Sequence, residues 1–207
     1  MARKDYTTIS GRRACETVIK GSRFIGVALP VRTEDDLRAR LSEITKEFPE
    51  ATHYCYGAVF GGSDRMERSS DNGEPSGTAG KPIVTVIRES GLTDCAIVVI
   101  RYFGGTLLGT GGLVHAYSES ASAVLKLCET EEHTLCDLYS VTIPYSDFDR
   151  FTKKLGQFFK GAPTCEYAAE ITVRVSVPVD TSEEFLKALT DVTAGRVSAT
   201  PLGTDYV

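Results

Sequence analysis

The chain has 207 residues, 42% of them hydrophobic and 25% charged, with a formal charge of −5 at pH 7. A length on this scale fits one medium domain plus one small one, and the composition argues against disorder of the whole chain. The acidic balance excludes a surface that traps nucleic acid by being basic throughout, although a local basic patch stays open.

The stretch from Met1 to Tyr6 carries charge with no apolar run behind it, so neither a signal peptide nor an anchor is expected there. The longest apolar run, Cys95 to Ile100, is far too short to cross a bilayer, and no membrane contact is expected. Cys15, Cys55, Cys95, Cys128, Cys136 and Cys165 contain no Cys-x-x-Cys pair. Without a secretory signal they read as reduced thiols, which predicts a cytoplasmic setting.

Strands are predicted over Cys15–Ile19 and Ser22–Val31, joined by a Lys20-Gly21 turn. Thr33 is a predicted N-cap with Asp36 three residues on, and Leu37, Leu41, Ile44 and Phe48 recur at helical spacing until Pro49. A strand follows over His53–Phe60, and the whole of Gly61–Gly80 has turn composition, which makes it a candidate binding loop. Pro82, Ile83, Val86 and Ile87 predict a helix. Asp94–Tyr102 is apolar without alternation and predicts a strand buried on both faces. A glycine-rich stretch, Gly104 to Gly112, then feeds a helix that begins near Leu113 and presents small residues inward. After a polar run from Glu129 to His133 the rhythm restarts: strand Leu138–Pro144, helix Asp147–Lys160, strands Thr164–Tyr167 and Glu170–Val177, helix Thr181–Ala194, strand Arg196–Leu202. This order of elements is ferredoxin-like and sets the expected domains at residues 1–132 and 133–207, an α+β chain.

Glycines ahead of a helix leave main-chain amides available to an anion at the positive end of the helix dipole. Gly104, Gly105, Gly109, Thr110, Gly111 and Gly112 therefore form a candidate phosphate cradle, with Lys81 and Arg101 as its cations. Close packing also calls for glycine, and the two readings stand side by side. Pro75 to Pro82 imitates a P-loop but has proline where the first glycine and the magnesium-binding hydroxyl belong, so it is not one. His53 and Cys55 share a strand face, yet two ligands make no zinc site. Asp71 and Glu74 pair two carboxylates on the long loop, where turn formation competes with acid–base work. No cofactor or metal is expected.

His53, the run Ser70 to Pro82, and the run Arg101 to Leu113 with Ala116 and Tyr117 after it closely resemble the IMPACT/YigZ family, as does Lys20 to Ile25 near the start. The resemblance implies an N-terminal UPF0029-type domain similar to the second domain of a small-subunit ribosomal protein, with a left-handed βαβ crossover that the general handedness rule would not predict. It also implies a ferredoxin-like C-terminal domain similar to the last domain of elongation factor G. The function implied is translation regulation by a non-enzymatic, ribosome-associated, RNA-binding protein, with RNA, the ribosome or a ribosome-associated protein factor as partner. The binding loop expected on that reading holds His53, Ser70, Asp71, Gly73, Glu74, Thr78 and Gly80. The alternative is a small-molecule enzyme, a phosphotransferase or hydrolase, using the same glycine-rich cradle.

Overall fold

Lys20 and Gly21 adopt positive φ, 46° and 82°, and this two-residue turn folds Arg13–Ile19 back on Ser22–Pro30 in antiparallel register. The computed structural model describes residues 5–61 and 65–207. In chain order the first elements are β1 (Tyr6–Ile9), β2 (Arg13–Ile19), β3 (Ser22–Pro30), α1 (Glu34–Glu47), β4 (His53–Phe60), β5 (Met66–Ser70), α2 (Gly80–Ser90), β6 (Cys95–Tyr102), α3 (Gly109–Leu125) and β7 (Thr130–His133). They are followed by β8 (Leu135–Ile143), α4 (Tyr145–Leu155), β9 (Thr164–Tyr167), β10 (Ile171–Pro178), α5 (Ser182–Thr193) and β11 (Ala199–Tyr206). Internal contacts divide the chain into two units, Tyr6–Glu132 and His133–Val207, the latter with Asp5.

In the first unit an antiparallel sheet runs in the order β2-β3-β6-β4-β5. Its central strand β6 is apolar on every residue from Cys95 to Ile100 because both faces are covered. On one face, Phe24, Cys55, Ile97 and Val99 pack with Ile83, Ile87, Ala116 and Tyr117 from α2 and α3. On the other, Ile25, Val27, Phe60, Val98 and Ile100 pack with Leu37 and Ile44 of α1. Helix α1 starts where Thr33 Oγ1 accepts from the Asp36 amide at 3.1 Å. Gly57 lets α2 lie close on β4, since a Cβ there would stand 2.6 Å from the Val84 nitrogen.

The second unit has the order strand, helix, strand, strand, helix, strand, and its antiparallel sheet runs β11-β8-β10-β9. Ile171, Val173, Val175 and Val177 turn one face of β10 inward onto Phe151, Leu155, Phe185 and Leu189, while Thr172, Arg174 and Ser176 take the other face. Among the described residues no helix is long and apolar enough to cross a membrane.

The structure corrects the sequence reading in several places. Gly61–Gly80 is not loop throughout: Met66–Ser70 is an edge strand on β4, and residues 62–64 of that stretch lie outside the described residues. The polar run after Glu129 contains β7, which pairs with β1. Helix α3 begins at Gly109, four residues before Leu113, so the last glycines of the run are its first turn. Helix α4 stops at Leu155 and passes into a short 3-10 turn, Gly156–Phe158. Strand β11 lies later than expected, with a bulge between Pro201 and Gly203.

Candidate functional site

Register places Phe24 of β3, Arg101 of β6 and His53 of β4 side by side across the sheet, so all three project to the same face. Arg101 is buried there between two aromatic rings, its guanidinium carbon 5.4 Å from the centre of Phe24 and 5.5 Å from that of Phe103. Its Nη1 donates to Glu74 Oε1 at 2.6 Å, and Nη2 donates to Ser22 Oγ at 3.3 Å. Tyr117 of α3 donates to the same Glu74 oxygen at 2.8 Å. The single proton of the Cys55 thiol has two acceptors in reach, the Asp71 carbonyl at 2.9 Å and Tyr117 Oη at 3.3 Å. Burial foremost pushes the Cys55 thiol up to about 12; the Tyr117 hydrogen bond opposes it next, and the Glu74 and Asp71 charges add smaller upward pushes. Burial foremost also raises Tyr117 well above the ordinary phenol range. Both groups stay protonated at neutral pH and serve as hydrogen-bond donors rather than nucleophiles.

His53 is fixed from the opposite side. Its Nδ1 lies 2.8 Å from the Asn72 carbonyl, which can only accept, so Nδ1 carries the proton. Nε2 is left 3.7 Å from Glu74 Oε1.

The Ser70 to Lys81 loop already holds an anion of its own. Asp71 Oδ1 accepts from the amides of Ala79 and Gly80, both at 2.9 Å, and Oδ2 accepts from Gly77 at 2.8 Å. This carboxylate caps α2 from eight residues upstream of its N-cap, Ala79. Burial opposes the charge on Asp71, but the Gly77, Gly80 and Ala79 amides outweigh it and hold the carboxyl below the usual aspartate range. The remaining loop residues are structural in the same way. Ser70 Oγ accepts from the Asn72 amide, Thr78 Oγ1 donates to the Pro75 carbonyl, Gly73 lies against the His53 ring, and a Cβ on Gly80 would meet the Ser70 backbone at 2.8 Å.

Lys81 and Arg101 do not converge on one anion as expected. Arg101 is taken by Glu74 and Ser22, while Lys81 lies in a separate depression with Pro82, Thr85 and Glu89. Gly104 serves packing: a Cβ there would stand 2.0 Å from the carbonyl group of Gly21. Gly105 and Gly111 have open space around them, and Gly112 adjoins Leu108.

The structure does place a groove of about 410 Å³ between the two motif runs. His53, Glu74 and Arg101 form its polar floor, Pro75, Phe103, Leu107, Leu108 and Leu113 its apolar walls, and Gly109 and Thr110 its far end at the start of α3. No side chain caps that helix. Another hollow, of about 280 Å³, is lined by Arg12, Arg40, Glu43 and Glu47, whose charges pair with one another. Among the described residues no group of three or more His, Cys, Asp and Glu is placed to hold a metal ion. Sequence reasoning missed the apolar walls and the role of Tyr117, whose place at the end of the second motif run was the available signal.

The pattern that defines the Impact N-terminal domain matches residues 20–125, a span that contains every residue of this groove. The chain belongs to the IMPACT family. It is 36% identical over 185 residues to an IMPACT family member of Haemophilus influenzae, covering 88% of this chain and 89% of that one. It is 35% identical over 181 residues to the IMPACT family member YigZ of Escherichia coli, covering 86% of this chain and 89% of that one. The crystal structure of a hypothetical protein, 31% identical in sequence, superposes with a TM-score of 0.67 over 96% of this chain and 97% of the other. Both units of this IMPACT chain thus have counterparts in that solved structure.

Proposed function

We propose that the chain is a cytoplasmic, translation-associated binding protein that contacts the ribosome or RNA and regulates translation through the groove of its first unit. On this reading the first unit is built like the second domain of a small-subunit ribosomal protein, with a left-handed crossover, and the second like the last domain of elongation factor G. Family membership over nearly the whole chain carries the proposal. The groove's rim supports it: Leu107 is 85% exposed and Phe103 45%, apolar surface presented on a frame that Arg101 holds rigid from beneath.

Many arginines of this unit are engaged by carboxylates, among them Arg12 with Glu47, Arg23 with Glu16 and Arg40 with Glu43. Contact with RNA phosphate would therefore draw on lysines such as Lys20, Lys46 and Lys81. Co-sedimentation with ribosomes, with and without nuclease and across a salt series, tests the reading. Retention that nuclease abolishes and salt weakens steeply identifies RNA; retention that survives nuclease identifies a protein contact; no retention rejects the role.

One observation favours a second reading, a small-molecule hydrolase or phosphotransferase. The His53 ring sits at the groove floor with Nδ1 held from behind by the Asn72 carbonyl and Nε2 left for a substrate, the placement a general base requires. A thermal-shift screen of metabolites and nucleotides, followed by turnover assays of the hits, decides it.

A further inference from the structure

Taking the groove of the proposed function as the binding surface, we infer that it receives the free N-terminus of a peptide whose first residue is apolar. The floor holds an open carboxylate oxygen. The Glu74 side chain is only 4% exposed, and every hydrogen bond it receives from the described residues falls on Oε1. Oε2 receives none of these, although a carboxylate offers about four acceptor sites. Beside it, His53 donates its Nδ1 proton to the Asn72 carbonyl and holds Nε2 3.7 Å from Oε1. An ammonium group supplies donors to Oε2 and a positive charge to a carboxylate whose cation, Arg101, is engaged on Oε1.

The same arrangement disfavours an anionic head, because phosphate or carboxylate at this floor would meet the Glu74 carboxylate. An apolar body is called for next, since Pro75, Phe103, Leu107, Leu108 and Leu113 wall the groove. The uncapped start of α3, at Gly109 and Thr110, then offers amides to a carbonyl. Donor head, apolar side chain and carbonyl acceptor are what the first residue of a peptide presents together. The volume of about 410 Å³ lies toward the small end of ligand sites, enough for a terminal residue or two rather than a folded partner.

Calorimetry on the full chain at pH 7 tests this with three probes: a Leu-Gly-Gly peptide with a free amine, its N-acetylated form, and inorganic phosphate. The free-amine peptide is expected to bind, acetylation to weaken it at least tenfold, and phosphate not to compete. Glu74→Gln is expected to weaken binding at least tenfold. Should that variant fold poorly, Leu107→Asp, at an exposed wall position, is expected to weaken binding with no change in melting temperature. Equal binding of the acetylated peptide, binding of neither peptide, or displacement of the peptide by phosphate overturns the inference. Ribosome co-sedimentation of the same preparation separates the two claims. Peptide binding without co-sedimentation removes the translation role and leaves this inference standing, and the reverse result does the opposite.

Discussion

Asp71 shows how a loop can read as an anion cradle and yet have its anion built in. The sequence displays the glycines and the helix start, but not that a carboxylate six to nine residues upstream reaches back to Gly77, Ala79 and Gly80. Asp71→Ala strands those amides and is expected to cost about 1–3 kcal/mol in urea unfolding. The lowered carboxyl of the folded state contributes stability that is full above the ordinary aspartate range and lost as pH falls through the lowered value. Asp71→Asn should therefore flatten the acid limb of a stability–pH curve. Arg101 was legible as a cation beside the glycine-rich run but not as a buried one, because its partner Glu74 lies 27 positions away. Arg101→Met alone is expected to destabilise by about 3–5 kcal/mol, and Arg101→Met with Glu74→Leu to recover part of that loss, since the second change removes the stranded charge. Burial pushes the Cys55 and Cys95 thiols up to about 12, so iodoacetamide at pH 8 should leave both unlabelled in native protein and label both in urea, read by peptide mass spectrometry.

At the level of elements, hydrophobic rhythm located the strands and helices that face a core, because burial imposes the period. Of the three strands it missed, β1 is four residues long, with only Thr8 and Ile9 buried, and the other two are ones that burial does not mark. β5 is an edge strand whose residues are largely exposed, and β7 is a polar four-residue strand held by main-chain bonds to β1, more than a hundred positions away. The start of α3 was misplaced because glycine is a poor helix former, yet Gly109 to Gly112 form its first turn. Two alanine substitutions separate the packing glycines from the others. Gly104→Ala drives a Cβ into the Gly21 carbonyl and is expected to cost about 1–3 kcal/mol. Gly111→Ala, within α3 and with open space around it, is expected to gain about 0.5–1 kcal/mol; thermal melts of the pair give the opposite signs directly.

For the whole molecule, each unit buries its own apolar clusters, one on both faces of the β2-β3-β6-β4-β5 sheet and one under α4 and α5. Residues 5–134 and residues 133–207, expressed separately, are expected to give dispersed amide spectra and cooperative melts; a collapsed spectrum from either would show that its core is insufficient alone. The repeating order of strands and helices made the second unit legible from periodicity. The apolar walls of the groove in the first were not, because they come from residues scattered between Pro75 and Leu113 that no local pattern connects.

Asn72 and Gly73 adjoin the groove floor, with the Asn72 carbonyl on His53 and Glu74 two residues downstream. An asparagine followed by glycine is the pair most given to succinimide closure, and ring opening toward isoaspartate would lengthen the main chain at that point. The tie from the Tyr54 amide to the Asn72 side chain fixes that side chain while the fold holds. Preparations stored warm or partly unfolded would thus lose their histidine and glutamate geometry together, a chemical clock set within the groove itself.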